Sequence, residues 1–190
     1  AAAALHRKRA ERAAPLSASV TELIQELGMA GRRFELETRH EPERAPSARG
    51  DTRVAISVSA NGGTAPGPLA RVASGGELSR ISLAVKIVAS AHAAAATQVF
   101  DEVDAGIGGR TASAVGALLR KLAGSGQALC VTHLAQVAVF ADEQLRVVKA
   151  DEEQRTTVRT DRLDAEGRVD EVARMLGGQV SESSRAHAAE

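Results

Sequence analysis

Residues 97–109 read Thr-Gln-Val-Phe-Asp-Glu-Val-Asp-Ala-Gly-Ile-Gly-Gly. The short apolar run Thr97 to Phe100 predicts a strand, and it ends in two adjacent carboxylates, Asp101 and Glu102. Acids at the carboxyl end of a buried strand stand where an open α/β sheet places its ligand chemistry. Asp101 is a candidate for holding Mg²⁺, directly or through water, and Glu102 for orienting or deprotonating an attacking water. The same pair also suits an acidic turn after a strand. Next come Asp104 and the glycines Gly106, Gly108 and Gly109. They read either as a loop able to approach another backbone closely or as an ordinary connection to a helix beginning at Thr111.

Upstream, Ser74-Gly75-Gly76-Glu77 follows a Gly/Pro loop and precedes a long helical pattern, Leu78 to Ala96. Ser74 with Glu77 three residues on is a capping box. The two glycines add a second possibility. At a helix start they let a phosphate approach backbone N–H groups, where the helix dipole favours an anion. Downstream, Ala128 to Thr132 reads as a buried strand and delivers His133. That histidine suits a helix cap, a satisfied core group, or a hydrogen-bonding sensor of a terminal phosphate.

Around this centre the pattern alternates. Leu16, Val20, Leu23, Ile24 and Leu27 give one helical apolar stripe, with Gly28 as C-cap. Pro15 starts this helix or kinks a longer one reaching back to Ala1. Arg33–Arg39 and Arg53–Ser59 alternate as half-buried strands, and Asn61–Pro68 reads as loop. Helices are expected at Thr111–Leu122, Leu134–Phe140 and Val169–Leu176, the last stopped by Gly177 and Gly178. Leu145–Lys149 and Thr156–Thr160 form a terminal strand pair. Residues 181–190 hold no apolar side chain larger than Ala and predict a frayed tail. Strands alternating with helices imply a parallel sheet covered by helices.

Composition narrows the function classes. Lys plus Arg equals Asp plus Glu, 24 against 24, so no generally basic nucleic-acid surface is expected. With no Trp or Tyr and three Phe, base stacking on aromatic platforms is not expected either. No apolar run reaches membrane-spanning length. The opening Ala1–Arg9 puts its charges after its apolar residues, the reverse of a signal peptide. The single Cys130 excludes an internal disulfide and suits a reducing cytoplasm.

Order and spacing carry the functional reading. Helix-start glycines come first, then a strand-end Asp-Glu, then a histidine. This series resembles the signature motif, Walker B motif, D-loop and switch histidine of the ABC ATPases. Val72-Ala73-Ser74-Gly75-Gly76-Glu77-Leu78-Ser79-Arg80, Phe100 to Gly109, and Val131-Thr132-His133-Leu134-Ala135-Gln136-Val137-Ala138 resemble the RecN family of SMC-like, ABC-type ATPases in particular. Glu171-Val172-Ala173-Arg174-Met175-Leu176-Gly177-Gly178 is similar to that family's C-terminal end.

The resemblance implies an α/β fold, the C-terminal lobe of a P-loop NTPase head with a mainly parallel sheet and covering helices. Residues 1–28 are then the returning end of a coiled-coil arm, or else a plain packing helix. Residues 29–180 are the lobe and 181–190 the tail. It implies Mg²⁺-dependent ATP hydrolysis between two heads, in recombinational repair of DNA double-strand breaks in a bacterial cytoplasm, at the nucleoid. Glu102 and His133 are then the catalytic residues, with His133 on the γ-phosphate of its own head. Asp101 serves the metal. Ser74, Gly75, Gly76 and Glu77 serve the nucleotide of the opposite head, and Asp104, Gly106, Gly108 and Gly109 touch the facing head. No G-x-x-x-x-G-K-[ST] string is present. The missing string points to an N-terminal P-loop lobe as partner, and the resemblance implies a second identical head and DNA, with no membrane. Two other readings stay open: another SMC-like or RecF-like ATPase of chromosome maintenance, and a non-catalytic interaction lobe.

Overall fold

A computed structural model of the chain describes residues 1–43, 45, 47–69, 73–90, 97–124, 126–152 and 155–189. The element order is α1 (Ala2–Glu26), β1 (Phe34–His40), β2 (Thr52–Ser59), β3 (Pro66–Pro68), α2 (Gly75–Ser90), β4 (Thr97–Phe100), α3 (Gly109–Ala123), β5 (Gln127–Cys130), α4 (Ala135–Ala138), β6 (Leu145–Glu152), β7 (Arg155–Arg162), α5 (Ala165–Gly177) and α6 (Glu182–Ala189). Residues 91–96, the end of the helix expected at Leu78–Ala96, lie outside the described residues, as does Val72.

α1 is the longer of the two helices that the sequence allowed, with Pro15 inside it. Val20, Ile24 and Leu27 are fully buried, in one core with Phe34, Val58, Ile81, Leu83, Phe100 and Val115. The last turns of residues 1–28 therefore share the core of the lobe. Gly28 closes the helix at φ 81°, and a Cβ there would meet Thr111 Cγ2 at 2.9 Å. Farther back, two hydroxyls bind the helix to the sheet. Ser17 Oγ accepts Leu36 N–H at 2.9 Å and donates to Ala13 O at 2.8 Å; Thr21 Oγ1 accepts Phe34 N–H at 3.0 Å. β1 is an edge strand, and these contacts occupy N–H groups that an open edge would present.

The strands fall into three groups among the described residues, antiparallel β1-β2-β3, parallel β4-β5 and antiparallel β6-β7, so the expected mainly parallel sheet is corrected to a mixed one. Connection type explains the division. α3 supplies the long crossover that a parallel pair needs, whereas β1-β2 and β6-β7 are consecutive strands that turn back on each other. Three local outcomes differ from the sequence expectation. Pro66–Pro68, expected as loop, pairs with β2; proline is tolerated there because β3 is an edge. Val54 and Ile56, expected half-buried, are exposed, because only the Val58 end of that face reaches the core. Residues 182–189 are helical instead of frayed. Ser181 caps them through Ser184 N–H, and Arg185 pairs with Glu166 and Asp170. α6 nevertheless buries nothing.

α3 packs on the segment after β5 through Gly116, where an added methyl would overlap the Phe140 ring. Gly116→Ala tests this contact. Alanine gains about 1 kcal/mol in helix propensity, but overpacking costs about 1–3 kcal/mol. Thermal unfolding of the chain should show a lower midpoint; a raised midpoint would show that the ring yields freely.

Candidate functional site

Three segments converge on one side of the molecule: the start of α2, the turn after β4 and the turn after β5. The start of α2 is a capping box as expected. Ser74 N–H donates to Glu77 Oε2 at 3.0 Å and Glu77 N–H to Ser74 Oγ at 3.4 Å. Glu77 is engaged a second time, with Arg32 Nη2 at 2.7 Å from Oε1. Glu77, expected to serve the nucleotide, is thus held between the helix start and Arg32 in this structure. A carboxylate so placed satisfies the helix start and is neutralised by Arg32.

Gly76 sits one residue deeper than Gly75 in the same helix start. It is buried, and a Cβ there would lie 2.9 Å from Ala105 Cβ and 3.0 Å from Ala105 O. Its small size admits the backbone of this chain's own loop. Ser74 and Gly75 remain exposed. N–H groups in a helix's first turn have no intrahelical acceptor, so this exposed start can receive an anion.

After β4, Asp101 Oδ1 accepts Glu102 N–H at 2.9 Å and Ser79 Oγ donates to Asp101 O at 3.1 Å. Glu102 is the one non-glycine residue with positive φ, 57°, among the described residues. A left-handed glutamate costs on the order of 1–2 kcal/mol, and such strain concentrates at functional positions. The strained turn lifts the Glu102 side chain toward α2, where Oε2 lies 3.3 Å from where a Gly75 Cβ would sit. Arg80, missed in the sequence reading, reaches across from α2 and donates to Ala105 O at 2.9 Å. Burial pulls its guanidinium below the ordinary value, against the opposing charge of Glu77. Its only signal in the sequence was its place in the helix after the glycines.

Asp104, expected with its glycine loop to touch a facing head, is 3% exposed in this chain. Its Oδ2 accepts from Thr132 Oγ1 at 2.5 Å, from His133 N–H at 3.1 Å, and lies 3.2 Å from His133 Nδ1. A buried carboxylate needs such donors, and the turn after β5 supplies them. The rest of its loop is available: Gly106, Gly108 and Gly109 are exposed, Gly106 and Gly109 at positive φ. The His133 side chain is 72% exposed.

The residues fit a metal only as part of a larger set. Among the described residues no three His, Cys, Asp or Glu side chains group as a metal site. Mg²⁺ commonly takes one or two carboxylates plus substrate phosphates and water, and the exposed Asp101 suits one such position.

The parallel pair beside the site lies bare on one face. Val99, Leu129 and Val131 are 62%, 46% and 63% exposed, although strands of a parallel sheet are ordinarily covered on both faces. No helix among the described residues is long and apolar enough to cross a membrane.

No family model matches the chain. Over 190 residues it is 43% identical to the DNA repair protein RecN of Haemophilus influenzae; the match covers all of the chain and 34% of that relative. The chain thus spans about a third of the length of the curated relatives it matches. Among solved structures, the Smc head domain with a coiled coil and joint from Pyrococcus yayanosii aligns with a TM-score of 0.61 at 21% identity, over 80% of this chain and 27% of that one. A second structure, described for ATP-driven dimerization and DNA-stimulated activation of SMC ATPases, gives 0.51 at 19% identity, over 80% and 85%. At such identities the likeness establishes the fold, that of the C-terminal lobe of an SMC-type head.

Cys130 lies behind this site. Burial first, then the charges of Asp104 and Asp101, push its thiol up to about 12. Its thiolate is therefore scarce at neutral pH, and the thiolate is the reactive form. Alkylation at pH 8 should be at least about 100-fold slower in the folded chain than in denaturant. Equal rates would show an open, ionised thiol.

Proposed function

We propose that this chain, which belongs to the RecN family by likeness along its full length to the C-terminal third of such proteins, is the C-terminal half of an SMC-like ATPase head acting in DNA repair. The observation that carries the proposal is the convergence of an exposed helix start, a strained Glu102 and an exposed His133 beside a parallel strand pair bare on one face. That face fits the layer this half lacks. We assign it to an N-terminal lobe of the same protein that carries the P-loop, reached through an arm that begins with α1.

In the assembled head, ATP lies between two heads. Asp101 would serve Mg²⁺, which supplies neutralisation of phosphate charge when bound. Glu102 orients the attacking water and accepts its proton. His133 contacts the γ-phosphate of its own head. Ser74 and Gly75 present the α2 start to the γ-phosphate held by the facing head, and Gly106, Gly108 and Gly109 meet that head. DNA contacts belong to the assembled protein, in the cytoplasm at the nucleoid.

The half-site reading has a direct consequence: without a P-loop the chain alone should not bind Mg-ATP. Calorimetry should register no heat of binding, and micromolar affinity would sink the model.

Sharing of ATP between heads is tested by mixing variants of the full head. Glu102→Gln keeps the side-chain shape and loses the base, so turnover should fall at least about tenfold, 1.4 kcal/mol in barrier, with nucleotide binding kept. Ser74→Arg should block pairing of two such heads, where the clash falls at both composite sites, and leave one clash in a mixed pair, whose formation is checked by size-exclusion chromatography before turnover is read. In a heterodimer of the two, one composite site carries both lesions and the other carries neither, so activity should return. The approach of Gly75 to Glu102 within one chain makes the opposite outcome meaningful. If no activity returns, both residues serve the same head's nucleotide, and the sharing is refuted.

A further inference from the structure

Asp104 is buried, and its donors determine what it can do. An ionised carboxylate only accepts hydrogen bonds. One oxygen, Oδ2, faces Thr132 Oγ1, His133 N–H and His133 Nδ1 at 2.5, 3.1 and 3.2 Å. The first two contacts anchor the turn after β5. Thr132 Oγ1 in turn accepts Leu134 N–H at 3.0 Å, so the backbone on both sides of the ring is held. The third contact concerns the ring itself. A bare Nδ1 would set its lone pair against the carboxylate, whereas Nδ1–H would turn a positive hydrogen toward it, so the contact favours the Nδ1–H form. Nε2 then belongs to the exposed part of the ring, whose side chain is 72% open while Asp104 is closed off.

We propose that Asp104 is the positioning residue of His133: it fixes the Nδ1–H tautomer, aims Nε2 out of the chain, and ties the glycine loop after β4 to that ring. This rests on the ATPase reading for its consequence, though not for its geometry. Neutral, the ring offers the Nε2 lone pair to a donor such as a water. Protonated, it donates from Nε2 to a phosphate oxygen, with its charge balanced by a buried carboxylate. Free histidine prefers the other tautomer, so without Asp104 the neutral ring would carry its proton on Nε2 and could no longer accept from a water there. Asp104 also belongs to the segment that Arg80 grips through Ala105. A shift of the loop would therefore reach His133 through one side chain.

The experiment uses the assembled head with ¹⁵N-labelled histidine, the His133 signals being identified by their loss in His133→Gln. The wild-type ring, when neutral, should show Nδ1 protonated and Nε2 bare. Asp104→Ala should move it to the Nε2–H form, whereas Thr132→Val, which removes a neighbouring donor and leaves the carboxylate, should keep the wild-type pattern. An Nε2–H ring in the wild type, or an unchanged ring in folded Asp104→Ala, overturns the proposal.

Should Asp104→Ala fail to fold, the isosteric Asp104→Asn keeps the question open to kinetics. Its kcat should fall at least about tenfold with KM for ATP little changed, and adding His133→Gln should cost nothing further, as expected of residues that act as a unit. Losses that multiply would show that Asp104 acts independently of the ring. The tautomer measurement needs no hydrolysis. An inactive wild-type head would thus refute the ATPase reading while the ring assignment is judged separately.

Discussion

Parallel strands end on the same side of their sheet, so the pairing of β4 with β5 delivers Asp101–Glu102 and Thr132–His133 to one edge. The ladder continues past the last paired residues, with Val131 N–H donating to Phe100 O at 2.9 Å. That bond sets how far each chain runs before it turns. Val103, fully buried immediately after the turn, pins the loop that carries Asp104 toward β5. The start of α2 then comes alongside because Gly76 has no Cβ to hold Ala105 away. Each chemical group thus stands where the strand pair and one missing methyl put it.

How much of this was legible in the sequence depends on the range of the interaction. The capping box was legible because Ser74 and Glu77 are three residues apart and bond to each other's backbone. The strand ends were legible because apolar runs stop at polar residues. Roles set by distant partners were not. Nothing near Glu77 announces Arg32, 45 positions away. Asp104 sits among glycines and looks like loop surface, and only the fold brings Thr132 and His133 to it. Gly75 and Gly76 read as equivalent, yet one is open and the other is covered by Ala105. The helical tail was missed because helix formation there owes nothing to apolar burial; ion pairs and a serine cap support it.

Electrostatics at the α2 start follow the same division between local and distant. The helix dipole makes this end partly positive. Glu77 answers it within the helix, and Arg32 answers Glu77 from the turn before β1. Ser74 and Gly75 are left exposed, with Glu77 Oε2 on the Ser74 N–H. Glu102 approaches that opening from β4, so a carboxylate of the same chain stands beside the exposed helix start.

The two hydroxyls that join α1 to β1 also have a mechanical meaning. Ser17 and Thr21 are one helical turn apart, about 6 Å along the axis, and they meet Leu36 and Phe34, two strand residues or about 6.8 Å apart. The two repeats mesh like teeth. Sliding the helix by a single residue turns both hydroxyls about 100° away from the strand and frees two N–H groups at once. A pull or twist applied to the far end of α1 therefore cannot be absorbed as slip at this joint. It meets two hydrogen bonds that must break together before the helix can move along the strand.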